Sequence, residues 1–258
     1  MTRFSANLGF LWTDRPLPDA IYAAQSAGFD AVECHWPYDT PSPAIRRALD
    51  DTGLPMLGLN TRRGNVERGE NGLTALPDRI NESRAAIDEA IVYAVAIGAQ
   101  KIHVMAGVAD GERAQQTFID NLRYACARGA THELTMLIEP LNPFDAPDYF
   151  LKSTSQAADI IQSVGAPPNL KLMFDCYHVA RTEGDVIQRL DEVFPIIGHI
   201  QFASVPDRHA PDQGTLNYRE VFDQVARLGW TEPLGAEYKP NGETGQSLGW
   251  LKTFRQPN

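Results

Sequence analysis

The sequence predicts a single (β/α)₈ TIM barrel, and three features carry that expectation. Short β-rich runs alternate with amphipathic segments from one end of the chain to the other. Several amphipathic segments stop at a glycine directly before the next run. The units recur about every 32 residues, the size of one βα unit in such a barrel.

The strand runs are 3–10, 29–34, 55–60, 100–105, 133–138, 169–174, 197–202 and 234–237. The helical stretches are roughly 17–27, 41–52, 79–97, 111–130, 153–164, 184–195, 217–228 and 246–256. In the third stretch Ile80, Ala86, Ile87, Ile91, Ala94 and Val95 fall on one face at the 3.6-residue spacing. Gly28, Gly98, Gly165 and Gly229 stand where a left-handed residue ends a helix. The competing arrangement, a doubly wound open sheet, has fewer strands and often a glycine-rich phosphate loop after the first; here the first strand leads into FLWTDRP. No linker or shift in composition divides the chain, so residues 1–258 read as one domain. The longest irregular stretch, 61–78, is expected to lie over the barrel mouth.

Composition narrows the function. Apolar residues make up 43% and charged residues 22%, ordinary values for a globular chain. The formal net charge is −10, which repels nucleic acid and anionic membranes. Cys34, Cys126 and Cys176 are few, odd in number and far apart, so no disulfide framework is expected and a reducing, cytoplasmic setting is. No signal peptide and no apolar run long enough to span a bilayer are read from the sequence. Neither nucleic acid nor membrane is expected as a partner, and self-association into a homo-oligomer is left open.

Side chains at the C-terminal ends of barrel strands converge on one pocket. The last four strand runs end on Glu139, Asp175, Gln201 and Glu237, each about one βα unit from the next. Three carboxylates so close repel one another, and a divalent cation relieves that repulsion. An oxygen-rich set with an amide and no thiolate favours Mg²⁺ or Mn²⁺. His178, three residues past Asp175, is the candidate donor to substrate. His103 and His199 lie within strands and read equally well as core histidines. Arg208, in the loop after the seventh strand with His209 beside it, offers bidentate recognition of a carboxylate. Lys239 adds positive charge two residues past Glu237, while Arg62 and Arg63 are weaker candidates. Phe10, Trp12 and Trp36 could wall the other side of the mouth or serve as ordinary packing.

The segments RFSANL, AGFDAVE, NGLTALPDR, HVMAG, FIDNLRYA, IEPLN, FDCYH, GHIQFASVPDRHAPDQGTLNY and EYKP resemble the hydroxypyruvate isomerase family of the xylose-isomerase-like barrels, over nearly the whole chain. HVMAG and PDRHAPD look more like its 2-oxo-tetronate isomerase relatives, IEPLN followed by FD more like the hydroxypyruvate branch, and TRRG departs from both. The resemblance implies a metal held by Glu139, Asp175, Gln201 and Glu237, with Glu139 and Glu237 as the catalytic acid and base. It also implies isomerisation of a small anionic 2-oxo sugar acid through an enediolate: hydroxypyruvate to tartronate semialdehyde, or 2-oxo-tetronate to its 3-oxo isomer. His178, Arg208, Lys239 and His103 are then the expected substrate contacts. Three other readings compete. A ketose 3-epimerase would use the same metal and glutamates, usually with histidine where Gln201 stands. A non-catalytic sugar-acid binding protein would keep the pocket without turnover. A barrel endonuclease would need more histidines and a basic face.

Overall fold

A computed structural model describes residues 2–255, and those residues close an all-parallel eight-stranded barrel. Its strands are β1 (Phe4–Asn7), β2 (Ala31–Glu33), β3 (Gly58–Asn60), β4 (Lys101–His103), β5 (Thr135–Ile138), β6 (Leu170–Asp175), β7 (Ile197–Phe202) and β8 (Leu234–Ala236). Pairing runs β2-β1-β8-β7-β6-β5-β4-β3. The seam between β2 and β3 is closed by a bridge from Val32 to Met56 and by the Leu57 amide donating to the Val32 carbonyl at 2.7 Å.

The outer layer is α1 (Leu17–Ala27), α2 (Ser42–Thr52), α3 (Ile80–Ile97), α4 (Gly111–Ala130), α5 (Thr154–Val164), α6 (Cys176–Thr182), α7 (Val186–Val193), α8 (Tyr218–Arg227) and α9 (Gly249–Arg255). Gly28, Gly98 and Gly165 stop α1, α3 and α5 in the left-handed region, at φ 90°, 74° and 107°. Each lets the chain reverse toward the next strand without the penalty a Cβ would carry.

Several boundaries differ from the sequence reading. The run 3–10 is strand only over Phe4–Asn7, because the amides of Phe10 and Leu11 turn back onto the Asn7 carbonyl. The stretch 184–195 shortens to α7, and α6 precedes it, starting at once on β6 with Asp175 as its cap. On α3 the buried face is Ser83, Ala86, Ile87, Ala90, Ile91, Ala94 and Ile97. Ile80 and Val95 are exposed: Ile80 opens the first turn, and Val95 is rotated about 100° from Ala94. The last predicted helix reaches 256, and that residue lies outside the described ones. Among the described residues, no helix is long and apolar enough to cross a membrane.

The stretch 61–78 is irregular apart from a short 3₁₀ turn at Val66–Arg68 and the start of another at Pro77–Arg79. It is tied down at Gly72, whose amide donates to the Arg63 carbonyl and which bridges to Ala106. Arg63 and Asn71 from this stretch line the cleft at the C-terminal ends of the strands.

Candidate active site

That cleft has a volume of about 430 Å³. Its floor is built from strand ends. β5 leads into Glu139, β6 ends on Asp175 and continues into α6 with His178, and β8 leads into Glu237. Glu139, Asp175 and His178 are buried, and one polar atom from each lies within 4.8 Å of the others, a group able to hold a metal ion. His103 Nδ1 on β4 stands 3.4 Å from Glu139 Oε2. Gln201 pairs with Asp175 in the β6–β7 register and lines the adjoining interior cavity with His103 and Glu33.

Asp175 divides its two oxygens. Oδ1 accepts the Tyr177 amide at 2.8 Å and caps α6, which leaves Oδ2 toward His178 and Arg208, each at 3.6 Å. Asp175 Oδ2, Glu139 Oε1 and Gln201 Oε1 are all buried, and none has a hydrogen-bond partner among the described residues. Three buried oxygen acceptors without donors fit a hard divalent cation, which would take up their lone pairs.

The donor set is sharpened by tautomer and amide orientation. His178 Nδ1 accepts the Asn142 backbone amide at 3.0 Å, so the neutral ring carries its proton on Nε2. Burial, aided by Arg208, lowers the His178 pKa to about 3 and keeps that ring neutral. Nε2 therefore presents N–H toward Asp175 Oδ2 at 3.6 Å and Glu139 Oε1 at 3.9 Å, which makes it a hydrogen-bond donor rather than a free metal lone pair. Burial lowers His103 to about 3 in the same way.

Gln201 is oriented from below by Glu33, a residue the sequence reading did not single out. Burial opposes charge on Glu33, but His199 and Gln201 outweigh it and hold its pKa below the ordinary range. An ionised carboxylate only accepts, so Gln201 must turn Nε2 toward Glu33 Oε1, at 2.7 Å, and Oε1 away from it. His199 Nε2 donates to the other Glu33 oxygen at 2.7 Å, which gives that strand-seven histidine a structural partner. Gly235 makes room for the pair: a Cβ there would sit 2.6 and 2.8 Å from the Glu33 oxygens and 2.9 Å from Gln201 Cγ.

Glu237 has a different environment. Asn7 Nδ2 donates to it at 3.0 Å, His35 Nε2 at 2.8 Å and Arg208 at 2.6 Å. Burial pushes its pKa up, yet Arg208 and His35 hold it down to about 2. Burial pushes Glu139 well above the usual carboxylate range, with Glu237 and Asp175 adding to the shift, and pushes Asp175 to about 7 against the pull of Arg208. Gly9 permits the His35 contact, because a Cβ there would lie 2.1 Å from the ring.

Arg208 is almost wholly enclosed. Its guanidinium lies over the rings of Phe10 and Tyr177, at 4.8 and 5.0 Å, and joins Glu237 to Asp175 and Asp145, each of the latter at 3.6 Å. It is committed to the acids around it rather than extended into the cleft. Lys239 is exposed on the cleft wall, and its carbonyl accepts from the neighbouring His209 ring. Phe10 and Trp36 line the cleft as expected; Trp12 does not, and packs inward against Phe29. Asn7, Glu33, His35 and Asn142 went unrecognised in the sequence. Their only local signal was proximity to strand ends.

The xylose isomerase-like TIM barrel family model matches residues 21–254. A 2-oxo-tetronate isomerase from Cupriavidus necator is 42% identical, over 98% of this chain and 99% of its own length. A Xenopus laevis protein provisionally named hydroxypyruvate isomerase is 40% identical, over 98% of this chain and 95% of its own. A Brucella melitensis structure described as an AP endonuclease, family 2, superposes with a TM-score of 0.95 at 35% identity, covering 99% of this chain and 100% of that one.

Proposed function

This chain is an isomerase of the xylose isomerase-like TIM barrel family, and on that footing we propose that its substrate is a small 2-oxo sugar acid and that it works with a divalent cation. The observation that carries the reading is the set of buried acceptors, Glu139 Oε1, Asp175 Oδ2 and Gln201 Oε1, lacking donors among the described residues, with Glu139 and the neutral His178 donor lining the cleft. Glu139, Asp175, Gln201 and Glu237 would hold the ion. An all-oxygen set of this kind favours Mg²⁺ or Mn²⁺. When bound, the ion would polarise the substrate carbonyl and acidify the neighbouring C–H.

The remaining chemistry belongs to side chains. One of Glu139 and Glu237 removes the proton from the hydroxyl-bearing carbon and the other delivers a proton to the former carbonyl carbon, while the hydroxyl proton passes from one substrate oxygen to the other, so the carbonyl moves by one position. Glu237 is held ionised by Asn7, His35 and Arg208. Glu139 would carry the proton on its second oxygen, Oε2, which lies 3.4 Å from His103 Nδ1. His178 Nε2–H donates to a substrate oxygen, and His103 lies behind Glu139 on the same wall. Arg208 would meet the substrate carboxylate if Asp175 and Glu237 were shared with a bound ion, and Lys239 adds positive charge at the rim. Both named relatives act on small acids by their names, which supports 2-oxo-tetronate or hydroxypyruvate as substrate. A nuclease would need a basic face, and a net charge of −10 argues against one.

The test is incubation of Mg²⁺- or Mn²⁺-loaded protein with 2-oxo acids and ketoses in D₂O, followed by NMR. Isomerised acid supports the proposal. Inversion with deuterium returned to the same carbon would mean an epimerase, and absence of exchange would mean a binding protein.

A further inference from the structure

Most arginines around the mouth are already paired. Arg208 is held by Glu237, Asp175 and Asp145, and Arg79 by Glu70 and Glu82. Arg62 turns outward onto Glu89, with its Nε and Nη2 at 2.7 and 3.1 Å from the two carboxylate oxygens. Its neighbour Arg63 turns the other way, into the cleft. There the guanidinium lies 4.8 Å from the Trp36 ring centroid, and its Nε donates to Asn71 Oδ1 at 2.9 Å. Among the described residues no carboxylate pairs with it, and partial burial lowers its pKa with no anion to offset the effect. Lys239, on the same cleft, likewise has no acidic partner among the described residues.

The platform under Arg63 is fixed. Trp36 donates its indole N–H to the Thr61 carbonyl at 3.1 Å and packs against His35, with centroids 5.0 Å apart, and His35 in turn holds Glu237. Stacking and the Asn71 bond settle one edge of the guanidinium and leave its two terminal nitrogens without a hydrogen-bond partner among the described residues. The cleft, at about 430 Å³, is larger than a three- or four-carbon acid alone requires.

We propose that Arg63, assisted by Lys239, is an anion subsite at the rim of the cleft that takes a second anionic group, a carboxylate or phosphate ester, which neither hydroxypyruvate nor 2-oxo-tetronate carries, on a 2-oxo sugar acid whose first carboxylate adjoins the reacting carbons. The chemistry of this assignment rests on the isomerase reading, but its test does not. The test is titration of purified full-length protein with D-glycerate and, separately, inorganic phosphate, followed by calorimetry and by the fluorescence of the tryptophans, of which Trp36 lies under the Arg63 guanidinium. Wild type, Arg63→Gln and Arg62→Gln are compared. Saturable binding of at least one anion is expected, about 5- to 20-fold weaker in Arg63→Gln and within about twofold of wild type in Arg62→Gln. The more tightly held anion identifies the group the subsite takes. Equal affinity in Arg63→Gln, an equal loss in Arg62→Gln, or no saturable binding of either anion overturns the assignment. Arg63-dependent binding in a protein that isomerises nothing would remove the isomerase reading and leave the subsite; turnover with Arg63-independent binding would do the reverse.

Discussion

Glu139 and Glu237 follow barrel strands in the same way and face one cleft, yet the two sides of the mouth treat them oppositely. On the side of β4 to β6, Glu139 meets His103, His178 and Asp175, and its Oε1 receives no hydrogen bond among the described residues. On the side where β8 meets β1 and β2, Glu237 collects donors from Asn7, His35 and Arg208. Burial is common to both, so the difference lies in the donors. Arg208 and His35 hold the Glu237 pKa low, whereas burial, Glu237 and Asp175 raise that of Glu139. Environments that push two carboxyl groups apart are what proton transfer between neighbouring carbons requires.

The contrast is tested most strongly by replacing each glutamate. Glu139→Gln and Glu237→Gln should each lower kcat by about 100-fold or more, since each removes a proton carrier while keeping its shape. Their stabilities without metal should then separate. Glu139→Gln should change stability by less than about 1 kcal/mol, because no donor among the described residues bonds Glu139 Oε1. Glu237→Gln should cost about 3 kcal/mol, because it strips the buried Arg208 of its nearest carboxylate. Near-normal turnover in either variant, or equal melting temperatures for the two, would break the comparison.

Arg208 joins the two sides, so its removal comes next. Arg208→Ala should lower kcat/KM for 2-oxo acids by about 10- to 150-fold, with Arg208→Lys recovering only part of the loss. Neutral ketoses, where accepted, should lose less. An equal loss for acids and neutral sugars would confine Arg208 to holding Glu237 and Asp175.

The smallest expected effect comes from beneath the floor. Glu33→Gln frees the Gln201 amide to flip, and Gly235→Ala drives a methyl into the same pair. Each should weaken Mn²⁺ binding by about 10-fold while the fold, read by circular dichroism, is kept. Unchanged affinity in both variants would show that Glu33 does not orient Gln201 for an ion.

The barrel was legible because its signals are local: period, glycine stops such as Gly98, and strand ends spaced by one βα unit. The acids at 139, 175 and 237 and Gln201 could be found for the same reason. What supports them was not legible. Asn7 and His35 reach Glu237 across more than two hundred residues, through the closure of β1 against β8, and no local pattern reports such a contact. Glu33 reads as one more strand residue until β7 and β8 bring Gln201 and Gly235 onto it. α6 was missed because Asp175 serves as both strand end and helix cap, leaving no turn between the two elements.

The most direct measurement is Mn²⁺ titration of chelator-stripped protein followed by electron paramagnetic resonance, comparing wild type with Asp175→Asn. Asparagine keeps the Oδ1 acceptor that caps α6 and removes only the charge. One ion per chain is expected in wild type, with affinity at least about 100-fold weaker in Asp175→Asn. Failure of wild type to take up the ion, or undiminished binding in Asp175→Asn, would contradict a cation held between the two sides of the mouth.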